Sequence, residues 1–185
     1  MKVGVLALQG DFEAHARAVR SAGAEPFEVR TPSELASADA LIIPGGESTT
    51  IRKLATDYGL LEPLRLRARD GLPIFGTCAG MIACARTITD GDETILGVVD
   101  IDVRRNAYGR QVQSFEADID VVGIGEMRAI FIRAPRVERY GQAVEVLATH
   151  GDEPVVIREG RIFLAAFHPE LTDDDRLHRM FLDSV

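Results

Sequence analysis

Cys78 is the residue of this sequence whose type and spacing most directly suggest covalent chemistry. It follows a short apolar run, has Gly76 and Gly80 two residues away on either side, and precedes a second apolar segment. Gly-x-Cys-x-Gly is the cysteine counterpart of the Gly-x-Ser-x-Gly nucleophile elbow, a strained strand-to-helix turn beside which only small residues fit. At the start of the following helix, unpaired N–H groups and the helix dipole favour a thiolate. The alternative is a buried structural cysteine, so the assignment depends on finding a base.

His168 is the candidate base. It directly follows an apolar run and begins the sequence His-Pro-Glu. Residues two apart in an extended chain face the same way, so Glu170 is placed to orient the imidazole. His15 and His178 fall within predicted helices and we interpret both as solvent-facing, whereas His150 falls in a predicted turn. The position of His168 after a buried strand makes it the histidine that best suits catalysis.

A glycine-rich loop supplies candidate donors for an oxyanion. Gly45 and Gly46 follow a predicted strand, and backbone N–H groups can point at a ligand where side chains are absent. We assign the oxyanion hole to the amides of Gly46 and of Ala79, the residue after the candidate nucleophile. A simple Gly-Gly turn is the alternative for this loop. Together with Cys78, these groups indicate acyl transfer through a thioester, although spacing alone does not name the acyl group.

The elements that must position these residues alternate between strand and helix in the first half of the chain. This order predicts a doubly wound, mostly parallel α/β sheet flanked by helices. Ligands of such sheets bind at the carboxyl ends of the strands, where Gln9, Gly45 and Cys78 all fall. After about residue 91 the pattern becomes β-rich with no linker, so we expect one domain over residues 1–185. The predicted strands are 2–8, 26–30, 40–43, 73–75, 99–103, 114–121, 128–132, 143–149, 155–158 and 161–167, and the predicted helices include 12–21, 49–57, 60–69, 79–87 and 176–183.

Composition narrows the range of partners and compartments. The chain has 185 residues, 46% of them apolar, and a net charge of −8, which argues against nucleic acid or an anionic membrane as partner. Cys78 and Cys84 lie six residues apart on one predicted helix and point to different sides, so we expect free thiols and a reducing compartment. The apolar run at residues 3–8 is too short for a signal sequence or a membrane span. We therefore expect a cytoplasmic protein.

The sequence resembles a known family. Gly76-Thr77-Cys78-Ala79-Gly80 with His168-Pro169-Glu170 is similar to the triad-type, class I glutamine amidotransferases. Within them, segments along nearly the whole chain resemble the glutaminase subunit of pyridoxal 5′-phosphate synthase. Tyr108 departs from this pattern, because phenylalanine is more often expected there. The matching segments are Leu8-Gln9-Gly10-Asp11-Phe12-Glu13, Pro44-Gly45-Gly46-Glu47-Ser48-Thr49, Arg105-Asn106-Ala107-Tyr108-Gly109-Arg110-Gln111, Ser114-Phe115-Glu116, Phe131-Ile132-Arg133-Ala134-Pro135 and Phe167-His168-Pro169-Glu170-Leu171-Thr172.

The resemblance implies an activity, a substrate and a partner. Such a protein releases ammonia from L-glutamine and passes it to a synthase subunit, a (β/α)₈ barrel that builds pyridoxal 5′-phosphate from a pentose phosphate and a triose phosphate. It implies Cys78 as nucleophile, His168 as general acid and base, and Glu170 as the partner that orients His168. It calls for no cofactor or metal ion in this chain. The substrate-binding residues that it implies are Gly46, Glu47, Ser48, Arg105, Ile132 and Arg133, and Gln9 is implied to lie near the oxyanion hole and the partner interface.

Two other kinds of function remain open at this point. One is a glutaminase that feeds a different synthase, such as the imidazole glycerol phosphate system, which shares the triad; the segments around Gln9, Arg105 and Ile132 argue against it. The other is a cysteine peptidase or a non-catalytic binding module on the same sheet. The resemblance of the Gly46 loop to a glutamine-binding loop disfavours the peptidase, and the intact triad disfavours the module. We also expect that the elbow exists before the partner docks and that docking completes the oxyanion hole.

Overall fold

The computed structural model describes residues 1–91, 93–107 and 114–185. Tyr108 and the residues after it up to Gln111, which carry part of the family resemblance, lie outside these ranges. The strands are β1 (Lys2–Leu6), β2 (Glu25–Val29), β3 (Ala40–Ile43), β4 (Ile74–Thr77), β5 (Ala85–Ile88), β6 (Val99–Arg104), β7 (Ser114–Val121), β8 (Gly125–Ile132), β9 (Arg136–Tyr140), β10 (Glu145–His150), β11 (Glu153–Glu159) and β12 (Ile162–Ala165). The helices are α1 (Phe12–Ser21), α2 (Pro32–Ala36), α3 (Ser48–Asp57), α4 (Leu61–Arg69), α5 (Ala79–Cys84) and α6 (Arg176–Asp183), and Pro169–Leu171 form a short 3₁₀ helix.

The main sheet has seven strands within these ranges, in the order β10-β11-β12-β4-β3-β1-β2. The five neighbouring strands from β12 to β2 pair in parallel. At the other edge of the sheet, β10 and β11 are added in antiparallel pairing. From β1 the chain first adds β2 on one side and then β3, β4 and β12 on the other, which is the arrangement of a doubly wound sheet. The predicted fold class is therefore confirmed.

The central strands are apolar because helices cover both of their faces. Every residue of β3 is buried, and so is every residue of β4 and β12. On one face, Phe75 packs against Phe181 of α6, with ring centroids 5.6 Å apart. On the other face, Gly76 lies against α5, close to the backbone of Gly80. Successive residues of one strand therefore contact different helix layers.

The β-rich second half that we predicted is present, but β5, which precedes it, and β9, which lies within it, were not predicted. The helix after the elbow ends at Cys84 instead of continuing to residue 87, because Ala85 is extended and β5 pairs in parallel with β6. β9 was missed because its sequence is mostly charged, yet Val137 pairs with Val103 in the β6–β9 ladder. These strands form a three-stranded sheet, β5-β6-β9, beside a β7-β8 ribbon. No helix within the described residues is long and apolar enough to cross a membrane.

Candidate active site

Cys78 occupies the corner between β4 and α5 in a conformation that L-residues rarely adopt, with φ 49° and ψ −102°. The two flanking glycines are required by close backbone approaches. A Cβ on Gly76 would lie 2.7 Å from the backbone carbonyl of Gly80, and one on Gly80 would lie 2.2 Å from the carbonyl oxygen of Ile43. The predicted strand-to-helix elbow is confirmed, and backbone strain at this corner is of the kind that collects at functional sites.

The register of two adjacent parallel strands brings His168 to this corner. Ala165 of β12 pairs with Thr77 of β4, and the Cys78 N–H donates to the Ala165 carbonyl at 2.8 Å. His168 follows three residues later, and its own N–H donates to the Ile130 carbonyl of β8 at 2.9 Å. Interaction with Cys78 raises the pKa of His168, and both side chains lie against Gly45. Two strand ends therefore carry the candidate nucleophile and its base to one place.

Glu170 completes the arrangement, although by a different local structure from the one we expected. The segment Pro169–Leu171 turns into a 3₁₀ helix instead of remaining extended. The turn nevertheless places Glu170 Oε1 2.8 Å from His168 Nδ1. The Cys78 thiol also lies 3.7 Å from the Ile132 carbonyl oxygen, to which it donates. The three predicted catalytic side chains form one continuous chain of contacts.

The electrostatic environment suits a charged imidazole between two acids. Burial by itself lowers the pKa of His168, but hydrogen bonds to Cys78 and Glu170 raise it to about 10. Burial raises the pKa of Glu170, whose side chain is only 1% exposed, yet the neighbouring His15 and His168 bring it well below its ordinary value. Cys84 contrasts with this site, because complete burial raises the pKa of its thiol to about 12. The site therefore favours a protonated His168 facing an ionised Glu170.

The glycine loop after β3 packs directly against the catalytic side chains. A Cβ on Gly45 would lie 2.3 Å from His168 Cε1 and 3.2 Å from Cys78 Cβ. Gly46 has a φ of 142°, and a Cβ there would lie 2.5 Å from Gln9 Oε1. That same oxygen accepts a hydrogen bond from the Glu47 N–H at 2.7 Å. The loop after β1 is thereby tied to the glycine loop beside the candidate nucleophile.

A cavity of about 230 Å³ opens onto these residues. Within the described ranges, three non-glycine residues have a positive φ, namely Cys78, Asn106 and Arg133, and all three line the cavity. This clustering of uncommon backbone conformations makes the cavity the candidate functional site. Two predicted site residues, Gln9 and Ala79, do not line the cavity. Ala79 is the first residue of α5, so its backbone N–H has no acceptor within the helix and is available to a ligand. The predicted residues on its wall are Gly46, Glu47, Ser48, Cys78, Arg105, Ile132, Arg133, His168 and Glu170.

The charged residues at the cavity are held in ion pairs. Arg133 Nη2 lies 2.6 Å from Glu47 Oε1, and both side chains are about half exposed. The Arg105 Nε lies 3.0 Å and 3.2 Å from the two carboxylate oxygens of Asp90. Asp90 was not among the predicted site residues. Both arginines therefore face carboxylates beside the cavity.

Two histidines that we predicted to be solvent-facing are buried instead. His15 is 0% exposed and His178 is 1% exposed, and their rings are in contact behind Glu170. That prediction was wrong because each histidine lies on the apolar face of its helix. The signal was present in the spacing: Val19 lies four residues after His15, and Phe181 lies three residues after His178.

Comparison with known proteins agrees with this geometry. Residues 5–185 match the model of the SNO glutamine amidotransferase family. The chain belongs to the SNO glutamine amidotransferase family. It is 55% identical to the pyridoxal 5′-phosphate synthase subunit PdxT of Frankia casuarinae, over 100% of this chain and 94% of the relative. It is 54% identical to the PdxT subunit of Desulforudis audaxviator, over 100% of this chain and 99% of the relative.

A solved structure agrees as well. A crystal structure of a glutamine amidotransferase superposes with a TM-score of 0.94 at 53% identity, covering 98% of this chain and 97% of the other. Membership of the glutamine amidotransferase family, together with the contacts among Cys78, His168 and Glu170, makes a peptidase or a non-catalytic module the poorer interpretation of the site.

Proposed function

We propose that this chain is the glutaminase subunit of a pyridoxal 5′-phosphate synthase, and that it hydrolyses L-glutamine to L-glutamate and ammonia at Cys78. The observation that carries the proposal is the continuous contact of Cys78, His168 and Glu170 at one cavity, in a chain about 55% identical to curated PdxT subunits over its whole length. The cavity suits a ligand the size of one free amino acid.

The first half of the reaction forms a thioester. The Cys78 thiolate attacks the side-chain amide carbon of glutamine, and the amide oxygen takes up negative charge. We assign the stabilisation of this oxygen to the N–H groups of Gly46 and Ala79. His168, protonated beside Cys78, gives its proton to the amide nitrogen as the C–N bond breaks, so that ammonia leaves and the γ-glutamyl thioester remains.

The second half hydrolyses the thioester. His168, now neutral, takes a proton from a water molecule that attacks the thioester carbonyl, and the same oxyanion donors serve again. The C–S bond then breaks, glutamate leaves and the thiolate–imidazolium pair is restored. Glu170 keeps Nδ1 of His168 protonated and directs the other ring nitrogen at Cys78 throughout.

Recognition of the amino-acid end of glutamine is assigned to the charged wall of the cavity. The carboxylate of Glu47 suits the α-ammonium group and the guanidinium of Arg105 suits the α-carboxylate. Ser48 and the Ile132–Arg133 backbone are further substrate contacts. These assignments are supported by the position of all these residues on the cavity wall.

The ammonia is delivered to a (β/α)₈ barrel subunit in a hetero-oligomeric complex. This part of the proposal is supported by the relatives, which are subunits of pyridoxal 5′-phosphate synthase. Gln9 is the residue that we link to the partner, because its side chain connects the loop after β1 to the Glu47 backbone. A partner that contacts the Gln9 loop is therefore able to move the oxyanion donor at Gly46.

The decisive experiment mixes the chain with a pyridoxal 5′-phosphate synthase barrel subunit and follows glutamate, ammonia and pyridoxal 5′-phosphate together. We expect weak glutamine hydrolysis by the chain alone and a rise on addition of the barrel. Cys78→Ala should bind the barrel yet lose at least about 1,000-fold in ammonia release. Cys84→Ala is the matched control and should retain activity, since this thiol is buried away from the cavity. Equal hydrolysis with and without the barrel would contradict the partner, and parent-rate hydrolysis by Cys78→Ala would contradict the nucleophile.

A further inference from the structure

Two imidazoles lie behind the candidate triad, in the layer between the main sheet and helices α1 and α6. His15 comes from α1 and His178 from α6, and neither lines the active-site cavity. Their nearest ring nitrogens, His15 Nδ1 and His178 Nε2, are 2.9 Å apart. Phe75 packs edge-on against both rings from the sheet below. Phe75 thus covers part of the sheet side of the pair with an aromatic ring.

The contacts of His178 determine which nitrogen of each ring carries a proton. Burial, with a smaller contribution from His15, lowers the pKa of His178 to about 3, so its ring is neutral at physiological pH. His178 Nδ1 is buried, and within the described residues it has no hydrogen-bond partner. Leaving an unprotonated Nδ1 without a hydrogen-bond donor costs less free energy than burying an Nδ1–H without an acceptor. The proton of His178 therefore sits on Nε2 and is donated to His15 Nδ1, which in a neutral His15 leaves Nε2 as the protonated nitrogen.

The Nε2–H of His15 faces the triad. It lies 3.2 Å from Thr77 Oγ1, in the strand residue just before Cys78, and 3.3 Å from Glu170 Oε2. Oε2 is the carboxylate oxygen that does not serve His168, and no aligned hydrogen bond from the described residues reaches it. The imidazole of His15 is the polar group that the structure places against this oxygen. Because both side chains are buried, this contact acts in a low-dielectric environment, where it is stronger than in water.

We propose that His15, held in one tautomer by His178, is a positioning residue that fixes the carboxylate of Glu170 in the orientation in which it serves His168. The triad is then the cavity end of a longer chain of contacts, His178 to His15 to Glu170 to His168 to Cys78. This inference rests on the proposed glutaminase function, because it assigns a role within that reaction.

The cost of burying these groups supports a role beyond packing. Two imidazoles and a carboxylate in one dry layer are expensive to desolvate, and apolar side chains of similar volume commonly replace such clusters without loss of stability. The other buried residues of α1, Ala14 and Val19, are indeed apolar. A purely structural core has no need of this arrangement.

The test compares two substitutions at one position. His15→Phe keeps a ring in the core but removes both nitrogens, whereas His15→Gln keeps a side-chain N–H donor. In the complex with the barrel subunit, His15→Phe should lower kcat for ammonia release by between about 10- and 100-fold while KM for glutamine changes less than about two-fold. His15→Gln should recover part of the lost kcat. Phe163→Leu is the control, because it removes buried volume beside Phe181 in the same layer and should lower stability without lowering kcat.

A second readout needs no glutamine and no partner. Iodoacetamide alkylates the thiolate of Cys78, while the buried Cys84 stays protected. Without an oriented Glu170 carboxylate, His168 stabilises the Cys78 thiolate less well. The alkylation rate at pH 7 should therefore fall several-fold in His15→Phe and rise again in His15→Gln. If the parent releases no ammonia from glutamine, the proposed function fails, yet this alkylation series still decides the role of His15.

Two results would overturn the inference. One is a folded His15→Phe whose kcat and alkylation rate equal those of Phe163→Leu. The other concerns the parent chain itself and applies even if His15→Phe does not fold. Nitrogen-15 NMR of the parent at neutral pH should find His15 protonated at Nε2 and bare at Nδ1, and a His15 protonated at Nδ1 would contradict the proposed order of donors.

Discussion

The Cα–H of Gly45 points at the ring of His168, so closely that a methyl group in its place would lie 2.3 Å from Cε1. Gly45 lies in the loop after β3, and His168 follows β12, two strands away in the sheet. The imidazole is therefore confined between this loop on one side and Glu170 on the other. A glycine that looks like an ordinary turn residue in sequence in fact forms one wall of the candidate active site.

Gly45→Ala should fold but lose activity. Its backbone φ is not positive, so alanine is tolerated by the main chain, and the conflict falls on the His168 ring. Displacement of the ring from Cys78 should lower kcat for ammonia release on the order of 100-fold. Gly71→Ala is the control: its Cβ meets open space, it costs about 1 kcal/mol of stability through its φ of 87°, and it should keep parental kcat. A Gly45→Ala enzyme with parental kcat would show that the ring has room to shift harmlessly.

Relief of strain at Cys78 should reverse the usual ranking of alanine and glycine. In an ordinary helix glycine is about 1 kcal/mol less stable than alanine. At φ 49° and ψ −102° an L-residue carries a conformational cost of about 1–3 kcal/mol that glycine avoids. Cys78→Gly should therefore be at least as stable as Cys78→Ala in urea unfolding, while both lack ammonia release.

Ala83→Gly within α5 is the matched comparison for this ranking. It should lose about 1–2 kcal/mol, because the helical cost of glycine adds to the loss of a buried methyl group. If Cys78→Gly were less stable than Cys78→Ala by the same amount, the elbow would be unstrained in solution.

The ion pair between Glu47 and Arg133 should matter for substrate binding and hardly at all for stability. Both side chains are about half exposed, and such pairs contribute roughly 0–1 kcal/mol. Glu47→Gln should leave the unfolding temperature nearly unchanged and raise KM for glutamine about 10-fold, since a charged hydrogen-bond partner of the α-ammonium group is lost. Arg158→Gln breaks a comparable pair with Glu145 far from the cavity and should leave KM unaltered. An unchanged KM in Glu47→Gln would remove Glu47 from the substrate site.

Acid should destabilise the fold through the buried layer behind the triad. The pKa of His178 falls from its ordinary 6.5 to about 3 on folding, so between these values the unfolded chain binds a proton that the folded chain does not. Stability therefore declines as pH drops below about 6.5, by at most about 1.4 kcal/mol per pH unit for this group. The lowered pKa of Glu170 adds a second loss below its ordinary 4.5, because the unfolded chain then protonates this carboxyl while the folded chain keeps it ionised.

Urea unfolding from pH 7 to pH 4 measures this slope. His178→Leu should flatten it above pH 4.5, whereas Phe181→Leu, a neighbouring core substitution without a titrating group, should lower stability equally at each pH. An unchanged slope in His178→Leu would place the acid sensitivity elsewhere.

Features that depend on near neighbours along the chain could be predicted from the sequence. The elbow is predicted by the glycines around Cys78, the base by the His-Pro-Glu segment, and the oxyanion donors by the Gly45–Gly46 loop. Each can be recognised in sequence because turn chemistry is a local property. Strand and helix alternation likewise determined the parallel sheet, and ligand sites at strand ends then followed. The helix predicted at residues 79–87 failed at Cys84 because the pairing of β5 with β6, not local propensity, decides the conformation of Ala85.

The surroundings of these residues could not be predicted, because they depend on packing between elements far apart in the sequence. The Ala165–Thr77 register sets His168 against Cys78, and it arises from strands far apart in the sequence. The burial of His15 and His178 depends on which faces of α1 and α6 the sheet covers, and on contact between two helices at opposite ends of the chain. Solvent exposure is not a property of a residue and its neighbours in sequence. It was settled here by packing, which turned two apparent surface histidines into the inner end of the candidate catalytic chain.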